Sequence, residues 1–183
     1  MNMKNFWPRK FLGFGLALTV LGLLVLAVGG FRFNMTSSHP RGVYRLVSGA
    51  PERGDYVAFC LASGHPMSDL AVRRGYLARG SCHSGSRPLL KRLVGLPGDY
   101  VAMTASGLVL NGASLPGTAR PETDSQGREL PPSILTSGLI PSGLALVLSQ
   151  GHPGSFDSRH FGLIPLASLR KVKPVLLFNK EFQ

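Results

Sequence analysis

Apolar residues dominate one long run and then recur only in short bursts. Residues 11–31 hold no charge and a single hydroxyl, Thr19. As a helix these 21 residues would measure about 31 Å at roughly 1.5 Å per residue, enough to cross a bilayer core. Lys4, Arg9 and Lys10 precede the run with no acid among them, which predicts an amino end held in the cytoplasm. A cleavable secretory signal ending at Ala27-Val28-Gly29 is the rival, although the apolar region of such signals spans only about 7–15 residues. Both readings export the rest of the chain.

Beyond that run the pattern is of β type. Short apolar stretches fall at 42–47, 55–61, 89–94, 100–104, 108–110, 144–148 and 175–178, punctuated by Gly and Pro. Asn111-Gly112 marks a tight turn between two of the strands. One helical pattern, 67–78, places Met67, Leu70, Ala71 and Ala78 on a stripe that Arg74 interrupts. Residues 116–143 turn to Pro, Gly, Ser and Thr and read as a long excursion loop, not a second domain. A chain of 183 residues has room for one ordinary domain. The expected layout is a basic cytoplasmic tail at 1–10, a transmembrane anchor at 11–31 and a mainly β, antiparallel periplasmic domain at 32–183.

Charge and cysteine narrow the class. Setting aside Lys4, Arg9 and Lys10, the formal +11 becomes +8 for the exported part. These cations are scattered and not interleaved with aromatics, so no nucleic-acid partner is expected. Inner-membrane lipid headgroups are the simpler anionic partner for a domain tethered so closely. Cys60 and Cys82 are the two cysteines. In an exported domain they read as one disulfide, with two buried thiols as the alternative. The five histidines, at 39, 65, 83, 152 and 160, lack ligand spacing, so neither metal nor cofactor is expected.

The candidate chemistry starts from lysine usage. Between residues 11 and 170 the chain uses Arg thirteen times and Lys once, at Lys91. Arg keeps its proton in proteins, whereas a desolvated Lys can become a neutral amine. A lysine spared for the apolar segment Leu89-Leu90-Lys91-Arg92-Leu93-Val94 therefore suggests a general base. The alternative places it on an exposed strand face with its stem over Leu90. What such a base could activate lies upstream, in Thr36-Ser37-Ser38-His39-Pro40, where a serine hydroxyl could be held on a loop. Serine needs a neighbouring base to become a nucleophile, and Ser-Lys pairs are a known arrangement.

Taken together these segments resemble the type I signal peptidases. Ser37 stands three residues before Pro40, as in their Ser-x-x-Pro box. Lys91-Arg92-Leu93-Val94-Gly95-Leu96-Pro97-Gly98-Asp99 is similar to their lysine box, and Ser155-Phe156-Asp157-Ser158-Arg159-His160-Phe161-Gly162 to their Ser-x-Asp-Ser-Arg-x-x-Gly box. The wording at 40–45, 74–77 and 152–159 resembles the conjugative-transfer signal peptidases, the TraF type. The likeness spans roughly residues 32 to 178.

That resemblance implies a coiled, partly barrel-like antiparallel β domain on one transmembrane helix. It implies a membrane-anchored serine endopeptidase that processes exported precursors, a conjugative pilin in this type. Ser37 would attack and Lys91 would serve as base. Ser155 would orient the Lys91 amine, while Asp157 and Arg159 would pair as a support beneath it. Partners would be the precursor, membrane lipids and other proteins of the conjugation apparatus. One departure concerns the oxyanion hole: where many relatives carry a hydroxyl residue two before the nucleophile, this chain has Met35. Thr36 or a backbone N–H alone would have to serve. Another is His152-Pro153 where acids usually precede the third box. Ser38 is a rival nucleophile that fits the Pro40 spacing less well. Two other classes stay open: a Ser-His-Asp hydrolase using His39 or His152, and a non-catalytic anchored scaffold of a conjugation or secretion apparatus.

Overall fold

The computed structural model describes residues 7–36, 38–149 and 152–178. Helix α1 spans Trp7–Val28. It ends three residues before the apolar run does, because Gly30 adopts φ 72 and its carbonyl accepts from Leu46 N–H at 3.0 Å. Phe31 therefore begins strand β1 (Phe31–Asn34) instead of closing the helix. No helix among the described residues is long and apolar enough to cross a membrane; the side chains at 7–11, 23 and 25–28 lie outside the described set. The expected anchor is thus not confirmed.

The strands follow in chain order: β2 (Gly42–Leu46), β3 (Tyr56–Phe59), β4 (Leu89–Gly95), β5 (Tyr100–Thr104), β6 (Gly107–Leu110), β7 (Ala113–Ser114), β8 (Gly138–Leu139), β9 (Leu144–Leu148), β10 (Ile164–Pro165) and β11 (Arg170–Leu177). Among the described residues they form two antiparallel sheets, ordered β1-β2-β11-β3-β4-β9-β10 and β7-β6-β5-β8. The mainly β class is as expected. Asn111 (φ 50) and Gly112 (φ 83) make the predicted tight turn, joining Leu110 to its antiparallel partner Ala113. Two left-handed residues in a row suit the twist of a two-residue hairpin.

Two further elements differ from the sequence pattern. β11 starts at Arg170, five residues before the expected 175, because Arg170, Lys171 and Lys173 around buried Val172 hide the apolar period. Helix α2 covers only Pro66–Arg73. His65 caps its start by accepting from Met67 N–H at 3.2 Å. Gly75 at φ 76 turns the chain away in the left-handed conformation common just past helix ends. The excursion loop stays largely irregular, pinned where Asp124 accepts from Tyr76 Oη and from Arg128 Nε, both at 2.7 Å.

β4 is the pivot of the fold. Leu89 and Leu93 join a core with Val57, Phe59, Met67 and Phe161, whereas Val94 joins a second core with Val101, Leu108, Ile140 and Leu148. Each such buried side chain contributes about 1.5–3 kcal/mol. A register shift between Leu93 and Gly95 lets one strand serve both cores, as a bulge bends a strand. Only glycine fits at 95: a Cβ there would stand 2.6 Å from Ile140 Cδ1 and 2.8 Å from Leu146 Cβ. The Cys60–Cys82 disulfide forms, tying the residue after β3 to the turn that follows α2.

Candidate active site

Alternation along β4 decides where its lysine points. Leu89, Lys91 and Leu93 are buried, while Arg92 is exposed. Lys91 thus faces inward at 4 % exposure, and the exposed-face alternative does not hold. The strand lies between β3 and β9, with Val57 opposite Lys91 on one side. On the other side Arg92 pairs Leu148 and Leu93 pairs Val147. Continuing that antiparallel register by one residue sets Ser149 opposite Lys91.

The amine is held by two hydroxyls. Lys91 Nζ donates to Ser149 Oγ at 2.8 Å and to Ser155 Oγ at 3.0 Å. Burial pushes its pKa from 10.5 down to about 8, with Asp157 raising it and Arg159 lowering it by smaller amounts. The two opposed influences belong to one ion pair. Asp157 and Arg159 are both essentially inaccessible, with Nη2 2.8 Å from Oδ2, and Arg159 Nε also donates to Asp157 Oδ1 at 2.8 Å. Asp157 is therefore engaged by Arg159 and does not hold Lys91 as an ammonium, leaving desolvation to set the proton affinity.

The same pair builds the shell around the amine. Asp157 caps the short helix α3 (Ser158–Phe161) by accepting from Arg159 N–H, and its Oδ2 accepts from Ser149 N–H at 3.0 Å. The Arg159 guanidinium donates to the carbonyls of Pro153 at 3.0 Å and His152 at 3.2 Å. One ion pair thereby fixes the backbone at Ser149 and the turn that presents Ser155.

Ser37 lies outside the described residues; hydrogen bonds hold the residues on either side of it. Asn34, at the end of β1, accepts from Thr36 N–H at 3.2 Å and from Thr36 Oγ1 at 2.7 Å. Its Nδ2 donates to the carbonyls of His39 and Pro40, both at 3.1 Å. Tyr44 Oη adds a second bond to the Pro40 carbonyl at 2.8 Å. His39 turns inward to reach Ser149, with Nε2 3.2 Å from Oγ. The loop is therefore tied to within two hydrogen bonds of Lys91. The Thr36 hydroxyl donates to Asn34 Oδ1 and lies 3.1 Å from Ser38 Oγ. Met35 is exposed.

Sequence reasoning missed Ser149 and Asn34 and read His39 as a rival base. Ser149 carried a faint signal as the first polar residue after the apolar run of β9. Asn34 carried none, since its partners are backbone atoms brought close by folding. Among the described residues no group of three or more His, Cys, Asp or Glu side chains could hold a metal. Pro97-Gly98-Asp99 forms the turn after β4, with Gly98 at φ 89 and Asp99 Oδ2 accepting from Leu96 N–H at 2.7 Å.

A buried lysine clasped by serines on a β scaffold accords with membership of a known peptidase family. The model for signal peptidase, peptidase S26, matches residues 4–174, and the chain belongs to that serine peptidase family. Its particular likeness is to the TraF proteins. Plasmid transfer protein TraF of Escherichia coli is 36% identical over 166 residues, 90% of this chain and 92% of that protein. Conjugal transfer protein TraF of Agrobacterium tumefaciens is 35% identical over 169 residues, covering 90% and 93% respectively. A signal peptidase I from Enterococcus faecalis, known from its crystal structure, aligns with TM-score 0.38 at 24% identity over 67% of this chain and 96% of that one.

Proposed function

We propose that this chain is a membrane-anchored endopeptidase that cuts exported precursor proteins through a Ser37–Lys91 dyad. The observation that carries the reading is Lys91 itself. Among the described residues Lys91 forms no ion pair; burying such an amine costs stability, and proteins keep such groups mainly where chemistry uses them. Ser149 and Ser155, the two serines that touch the amine, are both buried and are poorly placed to reach a peptide bond, which favours the loop serine as the nucleophile. His39 also sits at this centre, but burial and the Lys91 charge pull its pKa to about 3, far too low for a useful base.

In the proposed reaction, neutral Lys91 takes the Ser37 hydroxyl proton as Ser37 Oγ attacks the scissile carbonyl. The ammonium so formed protonates the leaving amine as the C–N bond breaks, giving an acyl-enzyme. Lys91, neutral again, takes a proton from the water that attacks the acyl carbonyl and returns it to Ser37 Oγ as the ester bond breaks, releasing the new carboxyl end and restoring the serine. A backbone N–H at the nucleophile would stabilise the oxyanion.

Anchoring gives the reaction its place. Apolar side chains of α1 such as Leu12, Phe14, Leu16 and Leu24 meet no protein core, and Phe33, Met35, Val175, Leu176 and Phe178 are exposed on β1, the loop beside it and the end of β11. We read these as contacts with the inner membrane, with the amino end cytoplasmic and the β domain periplasmic. A precursor cut just beyond its own apolar segment would arrive at the same height, raising the effective encounter of the two. The TraF relatives are named for plasmid and conjugal transfer, which supports a pilin-type substrate and a place beside the conjugation apparatus. An acyl-enzyme can be resolved by an amine as well as by water, so peptide cyclisation is a second outcome of the same dyad. The test is mass spectrometry of a co-expressed pilin precursor. A free new carboxyl end indicates hydrolysis and a product one water lighter indicates ring closure, whereas an unaltered yield of product from Ser37→Ala and Lys91→Ala cells refutes the dyad.

A further inference from the structure

A neutral amine has two N–H groups and one lone pair. For the lone pair to face a nucleophile, both N–H groups need acceptors elsewhere. Ser149 Oγ at 2.8 Å and Ser155 Oγ at 3.0 Å supply them. A serine hydroxyl, however, can donate as well as accept. Were Ser149 to turn its own O–H toward Nζ, it would occupy the lone pair and block the base. Something must hold the Ser149 proton on the other side. The second hydrogen bond of that hydroxyl runs to His39 Nε2 at 3.2 Å.

We propose that His39 is a positioning residue for Lys91: its unprotonated Nε2 accepts the Ser149 hydroxyl proton, so Ser149 can only accept from the amine, whose lone pair stays free for the nucleophile. The inference rests on Lys91 being the base proposed above. It assigns His39 the tautomer with its proton on Nδ1. The ring is well placed to keep that state. It is 5 % exposed, it meets the Tyr56 ring edge-on at 5.5 Å, and its backbone carbonyl is held by Asn34. The charged groups acting on it are Lys91, Asp157 and Arg92; burial is the largest influence and keeps the imidazole neutral throughout the range in which Lys91 titrates. Ser149 is fixed in turn through its N–H, donated to Asp157. His39, two residues from Ser37, thus acts on Lys91 through a single intervening hydroxyl.

The experiment uses the full-length protein in detergent micelles with a precursor-derived peptide. His39→Leu, which keeps bulk and removes the acceptor, should lower kcat roughly ten- to a hundredfold, as small misalignments of a base do, with KM little changed. The acid limb of the rate profile should move to lower pH, because a hydroxyl donated to the lone pair favours the neutral amine. His39→Gln, which can present a carbonyl oxygen near the Nε2 position, should recover most of the loss. A cycle with Ser149→Ala should be non-additive, the double variant matching Ser149→Ala alone. Nitrogen-15 shifts of His39 read the tautomer independently of turnover and of any folding defect. A His39→Leu protein within twofold of the parent kcat, additive losses in the cycle, or an Nε2–H tautomer each overturns the proposal. If Lys91→Met is inert while His39→Leu is normal, only the His39 role falls; if Lys91→Met still turns over, the base assignment falls and takes the His39 role with it.

Discussion

The pH dependence of turnover follows from where Lys91 sits. In water its amine would titrate at 10.5, and burial moves that to about 8. At pH 7 an unperturbed amine is neutral in only about one molecule in 3,000, whereas a pKa near 8 makes about one in ten competent, a gain of roughly 300-fold. The rate of peptide cleavage by the full-length protein in detergent should therefore rise about tenfold per pH unit from pH 6 to 7. It should reach half its maximum near pH 8 and level off by about pH 9. Lys91→Arg should be inert at every pH, since a guanidinium keeps its proton. Stability carries the same titration with a definite sign. Because the folded value, about 8, lies below the unfolded 10.5, the unfolded chain binds more protons between them, and stability rises with pH across that window. A rate profile flat between pH 6 and 9, or one inflecting near 10.5 in folded protein, would refute desolvation as the source of the base.

Two further outcomes test the scaffold. Asp157→Asn leaves the buried Arg159 uncompensated and should cost about 3–5 kcal/mol in denaturant unfolding. It should also shift the acid limb of the rate profile downward, since Asp157 raises the Lys91 pKa; a loss below about 1 kcal/mol would show that the pair is not the support described. Replacing Cys60 and Cys82 together by Ser removes a bridge closing a separation of 22 residues and should cost about 3 kcal/mol. The same unfolding curve with and without a reducing agent checks it: the parent should fall to the variant's midpoint on reduction, and the variant should not move.

Local pattern carried much of the fold. β5 and β9 fall at the residues the short apolar stretches predict, and the Asn111-Gly112 turn follows from backbone freedom at two adjacent positions. Where pattern failed, a later contact had overridden it. β1 was hidden at the end of an apolar run, and its strand conformation is fixed by pairing with β2, as at Phe31 with Arg45. Helix α2 stops at the Gly75 turn, short of the Ala78 that the helical pattern included. The lysine was visible through residue choice alone, one Lys among thirteen Arg, and the three boxes in order gave the family.

Reading along the chain therefore yields Lys91, Ser155, Asp157 and Arg159 and most of the elements that carry them. Their meeting was settled only in three dimensions. Lys91 and Ser155 are 64 positions apart in the chain and His39 and Ser149 are 110 apart; antiparallel pairing of β4 with β9 sets Ser149 beside Lys91. Whether Lys91 faced solvent or core depended on which side of β4 the neighbouring layer covered, and that covering also sets its proton affinity. Desolvation is a property of packed surroundings, so no reading of one residue among its sequence neighbours could supply it.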